Sequence, residues 1–156
     1  MTDSENKIKG FSKKQLLNSL SNEKFQLIIF PTEQCNFRCV YCYEDFEIGK
    51  MPRWLVDATK VLIKNKMPKL KYLSLSWFGG EPLLAKDILF EISEYAQSLA
   101  KENGCKVYGN LTTNGSLLDI KTLTKLVELK QNSFQISIDG DKESHDTTRL
   151  TRNGRG

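Results

Sequence analysis

The chain has 156 residues, with 23 basic and 19 acidic side chains for a net charge of +4, and is 39% hydrophobic and 27% charged. This length and balance favour one ordinary globular domain. The charge is too small and too evenly spread to argue for nucleic acid or a membrane surface, and no apolar run approaches the roughly 20 residues that cross a bilayer.

Met1–Lys9 is polar and has no apolar signal core, so a cytoplasmic location is the default, and Met1–Gly10 is expected to be flexible. Phe11–Leu20 predicts a short helix capped by Ser12, with Leu16 and Leu20 on one face. Phe25–Phe30 reads as a buried strand because Leu27, Ile28, Ile29 and Phe30 are continuously apolar. A cysteine-rich loop follows, to about Gly49. Pro52 suits the first turn of a helix on which Leu55, Ala58 and Leu62 recur, and Pro68 ends it. Tyr72–Trp77 is the second strand and runs into Phe78-Gly79-Gly80-Glu81-Pro82. The next helix carries Ile88, Ile92, Tyr95 and Leu99 on one stripe and stops at a Gly104 cap. Lys106–Leu111 is the third strand, leading to Thr112-Thr113-Asn114-Gly115. Asp119 caps a third helix with Ile120, Leu123 and Val127 inward, and Ser133–Ile138 is the fourth strand, ending in Asp139-Gly140. Trp77 and Phe78 read as core.

Four strands with a helix in each gap define an α/β chain with a parallel sheet and right-handed crossovers. Each glycine- or cysteine-rich segment lies just after a strand, so all four fall on the same sheet edge. That edge is where α/β folds place their sites.

Cys35, Cys39 and Cys42 are spaced C-x3-C-x2-C. In this kind of chain, thiols so clustered point to metal binding or catalysis rather than disulfides. Structural zinc sites want four protein ligands, and Cys105 precedes the third strand, at the opposite edge, where it reads as a buried free thiol. Three thiolates leave one corner of a 4Fe–4S cluster open. A zinc site completed by His145, or a non-catalytic iron–sulfur or zinc-binding module, is the alternative. An electron carrier fits poorly, because its cluster usually has all four corners closed.

The cysteine spacing, with Tyr41 before the last cysteine and Tyr43-Glu44 after it, resembles the radical S-adenosylmethionine (SAM) superfamily. Gly79-Gly80-Glu81-Pro82, Thr113-Asn114-Gly115 and Ser137-Ile138-Asp139-Gly140, followed by His145-Asp146 and Arg149, are similar to that family's motifs in the same order. They resemble in particular the branch of anaerobic sulfatase-maturating enzymes and SPASM-type peptide maturases. The resemblance implies a partial (β/α)6 TIM-like barrel of the radical SAM type, of which about four βα units are present. Residues 25–156 would be its core and 1–24 an N-terminal extension. Because relatives have six strands, the chain is expected to be the N-terminal part of a longer enzyme and to turn over poorly alone.

The resemblance also implies the cofactors: a 4Fe–4S cluster on Cys35, Cys39 and Cys42, with SAM on its open iron. Gly79 and Gly80 would let the methionine amino group approach the backbone, with Glu81 ordering the loop or helping to bind that group. Asn114 and Ser137 would hydrogen-bond the ribose or carboxylate, and Tyr41 would lie near the adenine. Asp139 reads as ordering its loop, His145 as a structural hydrogen-bonder, and Arg149 as either meeting the SAM carboxylate or being solvated. The implied partners are a peptide or protein substrate and an electron donor such as flavodoxin or ferredoxin. No catalytic acid or base is assigned.

Overall fold

The computed structural model describes Lys7, Ile8 and residues 10–156. Of the stretch expected to be flexible, residues 1–6 and 9 lie outside the described residues. Lys7–Ile8 (β1) pairs antiparallel with Phe11–Ser12 (β2). Helix α1 (Lys13–Ser19) starts at Ser12 as expected: the Ser12 hydroxyl accepts from the Gln15 N–H, and the Gln15 side chain accepts from the Ser12 N–H.

The remaining elements are β3 (Lys24–Ile29), α2 (Arg53–Lys66), β4 (Tyr72–Trp77), α3 (Lys86–Asn103), β5 (Lys106–Thr113), α4 (Ile120–Glu128), β6 (Ser133–Ile136) and α5 (Lys142–Thr148). Strands β3-β4-β5-β6 form one parallel sheet in that order, in register Ile29 with Trp77 with Leu111 and Thr113 with Ile136. This is the expected arrangement of a partial barrel of four βα units. Parallel order follows from the helical crossovers, each long enough to return the chain to the starting edge.

One sheet face is covered by helices and the other is not. Leu73, Leu75 and Trp77 of β4 and Leu111 of β5 are fully buried against Val56, Ile63, Leu89, Ile92, Ala96 and Leu126. Each large side chain so buried contributes roughly 1.5–3 kcal/mol. On the opposite face Gln26 donates to Ser76 Oγ at 2.8 Å, and Asn110 donates to the same oxygen at 3.0 Å. Ile28 and Phe30 are exposed there. The apolar run of β3 is therefore not buried throughout: an edge strand with helices on one side buries only alternate residues.

Two helix faces differ from expectation. α2 buries Val56, Ile63 and Met67 at its end, while Ala58, Leu62, Trp54 and Val61 face outward. α4 buries Thr122 and Leu126, and leaves Ile120 and Val127 exposed. In both, apolar residues occupy more than one face, so spacing alone does not choose the inner one. Gly104 does cap α3, at φ +67°, and Asp119 caps α4 by accepting from the Thr122 N–H. Arg53 of α2 forks onto Glu91 of α3 at 2.7 and 2.8 Å, and Lys60 joins it at 2.9 Å. Among the described residues no helix is long and apolar enough to cross a membrane.

Candidate functional site

The segments after β3, β4, β5 and β6 meet around a cavity of about 190 Å³. Cys35, Cys39, Cys42 and Tyr41 line it from the first segment and Gly79 and Gly80 from the second. Asn114 lines it from the third, and Ser137 and Arg149 from beyond β6. Phe78 also lines it, edge-on to Phe30 at 5.5 Å, rather than joining the core. Of the residues expected to hold the cluster or SAM, Glu81 does not line it. A larger hollow of about 590 Å³ between α3 and α4, beside Lys86, Phe90 and Lys121, holds none of the motif residues.

The glycines are required by backbone crowding. The Gly80 N–H donates to Thr32 O at 3.2 Å and the Glu81 N–H to Gln34 O at 2.9 Å, so this loop lies along the approach to Cys35. A Cβ on Gly80 would come 2.1 Å from Glu33 O, and one on Gly79, at φ +107°, 2.7 Å from Thr32 O.

Glu81 is fully buried. Its carboxylate accepts from the Leu83 N–H at 2.9 Å, the Asn114 N–H at 2.8 Å and the Thr113 hydroxyl at 2.8 and 2.9 Å. It thus fastens the loop after β4 to the loop after β5. Asn114 in turn donates to Asn36 Oδ1 at 2.9 Å and points at Cys35 Sγ from 3.7 Å, while its own oxygen accepts from Ser116. Its amide is engaged with the cysteine loop.

The segment after α5 closes the other side. The Arg38 N–H donates to Leu150 O at 2.6 Å, Val40 N–H to Thr148 O at 2.9 Å and Arg152 N–H to Asn36 O at 2.8 Å. Arg149 is 8% exposed; its Nη1 donates to the Tyr41 hydroxyl at 2.6 Å, and its Nε is buried with no partner. The Tyr41 hydroxyl donates to Asp139 Oδ2 at 2.7 Å, and the Thr148 hydroxyl donates to the same oxygen at 2.8 Å. His145 Nδ1 accepts from the Asp139 N–H at 3.3 Å. Asp139 and His145 thus order the loop, as their sequence suggested. The pairing of residues 36–40 with 148–152 has no sequence signal, because it is made by backbone groups.

Burial pushes the Cys35 thiol up; the negative Glu81 adds to this, while the Phe37 N–H, 3.3 Å from the sulfur, opposes it. Burial likewise pushes the Cys39 thiol up, with Arg149 opposing. Among the described residues no three His, Cys, Asp or Glu side chains converge on one point tightly enough for a single ion. Three thiols spread around one cavity suit a polynuclear cluster, in which each sulfur takes its own iron. A guanidinium lining the same cavity suits a carboxylate. Cys105 is buried and unpaired at the start of β5, as expected.

The sequence profile of the Radical SAM superfamily matches residues 29–156. The chain is 28% identical over 134 residues to Fe-coproporphyrin III synthase of Methanosarcina barkeri, covering 85% of this chain and 32% of that one. It is 38% identical over 111 residues to GTP 3',8-cyclase of Corynebacterium glutamicum (69% and 29%). It is 29% identical over 132 residues to the cysteine-type anaerobic sulfatase-maturating enzyme of Clostridium perfringens (79% and 35%). Among solved structures it resembles native anSMEcpe with bound AdoMet and Kp18Cys peptide, with a TM-score of 0.73 and 28% identity over 85% of this chain and 36% of that one. The chain spans about a third of the length of these curated relatives.

Proposed function

We propose, given that the chain belongs to the radical SAM superfamily, that its cysteine-lined cavity cleaves SAM reductively and directs the resulting radical at a peptide or protein. Membership brings the family's two cofactors, a 4Fe–4S cluster and SAM. When bound, they supply an electron to the sulfonium carbon–sulfur bond and so a 5'-deoxyadenosyl radical that abstracts hydrogen from the substrate.

The chain's own residues hold and orient these groups. Cys35, Cys39 and Cys42 are the three thiolates. The Phe37 N–H and the Asn114 amide point at the Cys35 sulfur, where they favour the ionised form despite burial. Gly79 and Gly80 keep the cavity wall free of side chains where the methionine amino group would enter. Arg149, whose guanidinium lines the cavity with Nη1 held by Tyr41, takes the methionine carboxylate. Ser137 and the Tyr41 ring line the remaining wall, facing ribose and adenine. Glu81 works at one remove: it fixes the Asn114 loop and makes no contact with the cavity.

The single observation carrying this reading is the convergence of three thiols and the Arg149 guanidinium on one cavity. The peptide assignment is supported by the peptide bound to the sulfatase-maturase neighbour. In this reading residues 25–156 form the core and 1–24 an extension. The protein works in the cytoplasm and draws its electron from a flavodoxin or ferredoxin.

Anaerobic reconstitution with iron and sulfide tests the proposal. The expected result is three- to four-iron stoichiometry with matching sulfide, and a change in the EPR signal of the reduced cluster when SAM is added. No iron–sulfur absorbance would overturn the proposal, and zinc without sulfide, or a cluster whose EPR signal does not respond to SAM, would favour a non-catalytic metal module instead.

A further inference from the structure

Arg149 reaches Asp139 only through a third residue. A carboxylate and a guanidinium this close in a partly buried site ordinarily pair directly, as a two-pronged fork. Here the Tyr41 hydroxyl stands between them, accepting from Arg149 Nη1 at 2.6 Å and donating to Asp139 Oδ2 at 2.7 Å. A phenol can do both at once, which neither phenylalanine nor a charged residue can. The intervening partner is neutral, so it fixes one prong of the guanidinium without cancelling its charge. Nε is left buried and without a partner.

Asp139 is held in place independently, by the Thr148 hydroxyl at 2.8 Å. The backbone on both sides of the trio is fixed too: Val40 pairs with Thr148, and the Arg149 N–H donates to His145 O at 2.8 Å. The Phe37 ring lies 5.9 Å from the Arg149 guanidinium. Every part of Arg149 with a partner in the structure is thus held, and the part without one belongs to a residue lining the cavity.

We propose that Tyr41 is a positioning residue that keeps Asp139 from pairing with Arg149 and so reserves the guanidinium for an anionic ligand in the cavity. This inference rests on the function proposed above, which makes that ligand the carboxylate of SAM. It assigns to the Tyr41 hydroxyl a task separate from any contact of its ring with adenine. Without the hydroxyl, Asp139 and Arg149 are free to collapse onto each other and compete with the ligand.

The test is a SAM titration of the anaerobically reconstituted chain, followed by the EPR signal of the reduced cluster, with iron and sulfide measured for every variant. Tyr41→Phe is expected to bind the cluster fully but to require about tenfold more SAM, the size of one hydrogen bond to a charged group. Adding Asp139→Asn removes the competing charge, so the double variant is expected to recover to within about threefold of wild type. Recovery is the decisive readout, because a second substitution in a merely structural network would make matters worse. Three results would overturn the inference: Tyr41→Phe binding SAM like wild type, a defect not relieved by Asp139→Asn, or loss of the cluster from Tyr41→Phe. Failure of the wild-type chain to take up cluster or SAM would instead sink the proposed function, and this inference with it.

Discussion

Replacing Glu81 by alanine should cost the fold far more than its place in a surface-facing loop motif suggests. The carboxylate is fully buried and, among the described residues, joins no ion pair. It satisfies three donors: the Leu83 and Asn114 N–H groups and the Thr113 hydroxyl. Leu83 is 2% exposed and Thr113 4%, so water does not readily replace the lost oxygens. Three stranded donors at about 1–1.5 kcal/mol each give about 4 kcal/mol, a large share of the stability of a domain this size. Urea denaturation of Glu81→Ala should show that loss with an unchanged slope, and melting should fall by about 10 °C. Glu81→Gln should cost about 2 kcal/mol, since its NH2 group must confront one of the two N–H donors. Adding Thr113→Val to Glu81→Ala should cost only about 1 kcal/mol more, because the hydroxyl has already lost its acceptor and the Gly115 N–H, which donates to Thr113 Oγ1 at 3.1 Å, is the one further group left unpaired. A loss below about 1 kcal/mol for Glu81→Ala would refute the account of Glu81 as the fastening between the two loops.

Gly80→Ala should leave the chain folded but unable to take up iron, because the new methyl displaces the backbone just before Cys35; Gly49→Ala, with nothing within 4 Å, is the control. Iron analysis decides this, and normal iron content in Gly80→Ala would contradict it. Gly109→Ala should lower stability by about 3 kcal/mol in urea, since its Cβ would come 1.8 Å from the Gln131 oxygen that accepts from Trp77 Nε1 at 2.8 Å. The Arg53 and Lys60 hydrogen bonds lower Glu91 from 4.5 to about 2. The stability this contributes is present above pH 4.5 and is lost as pH falls through about 2. The stability gap between wild type and Glu91→Gln should therefore close across that window, and a gap independent of pH would rule the ion pair out as its source.

The site was more legible in the sequence than the packing was. Cys35, Gly79, Asn114 and Ser137 could be brought together from strand order alone, because a parallel sheet puts every strand end on one edge. The inner faces of α2 and α4 could not. Leu55, Ala58 and Leu62 keep helical spacing as well as Val56, Ile63 and Met67 do, and only the sheet beneath decides between them. α5 went unread because Lys142–Thr148 has no apolar stripe; Asp141 caps it, and it serves to place Thr148 and Arg149. For Glu81 the motif left two roles open, ordering the loop or meeting the ligand, and only the buried contacts with Thr113 and the Asn114 N–H choose the first.

The pairing of the cysteine loop with residues 148–152 bears on how the protein is made. Tyr41 and Arg149 are 108 residues apart in the chain. At about 5–20 residues per second, a ribosome needs roughly 5–20 s to reach the second after finishing the first. During that interval the three thiols are already synthesised, but the backbone that will hold their loop is not. Iron delivered early would meet loose cysteines, able to bind the wrong metal or oxidise. A cluster that depends on this pairing has to wait until residues 148–152 have been made, although that segment carries no cysteine.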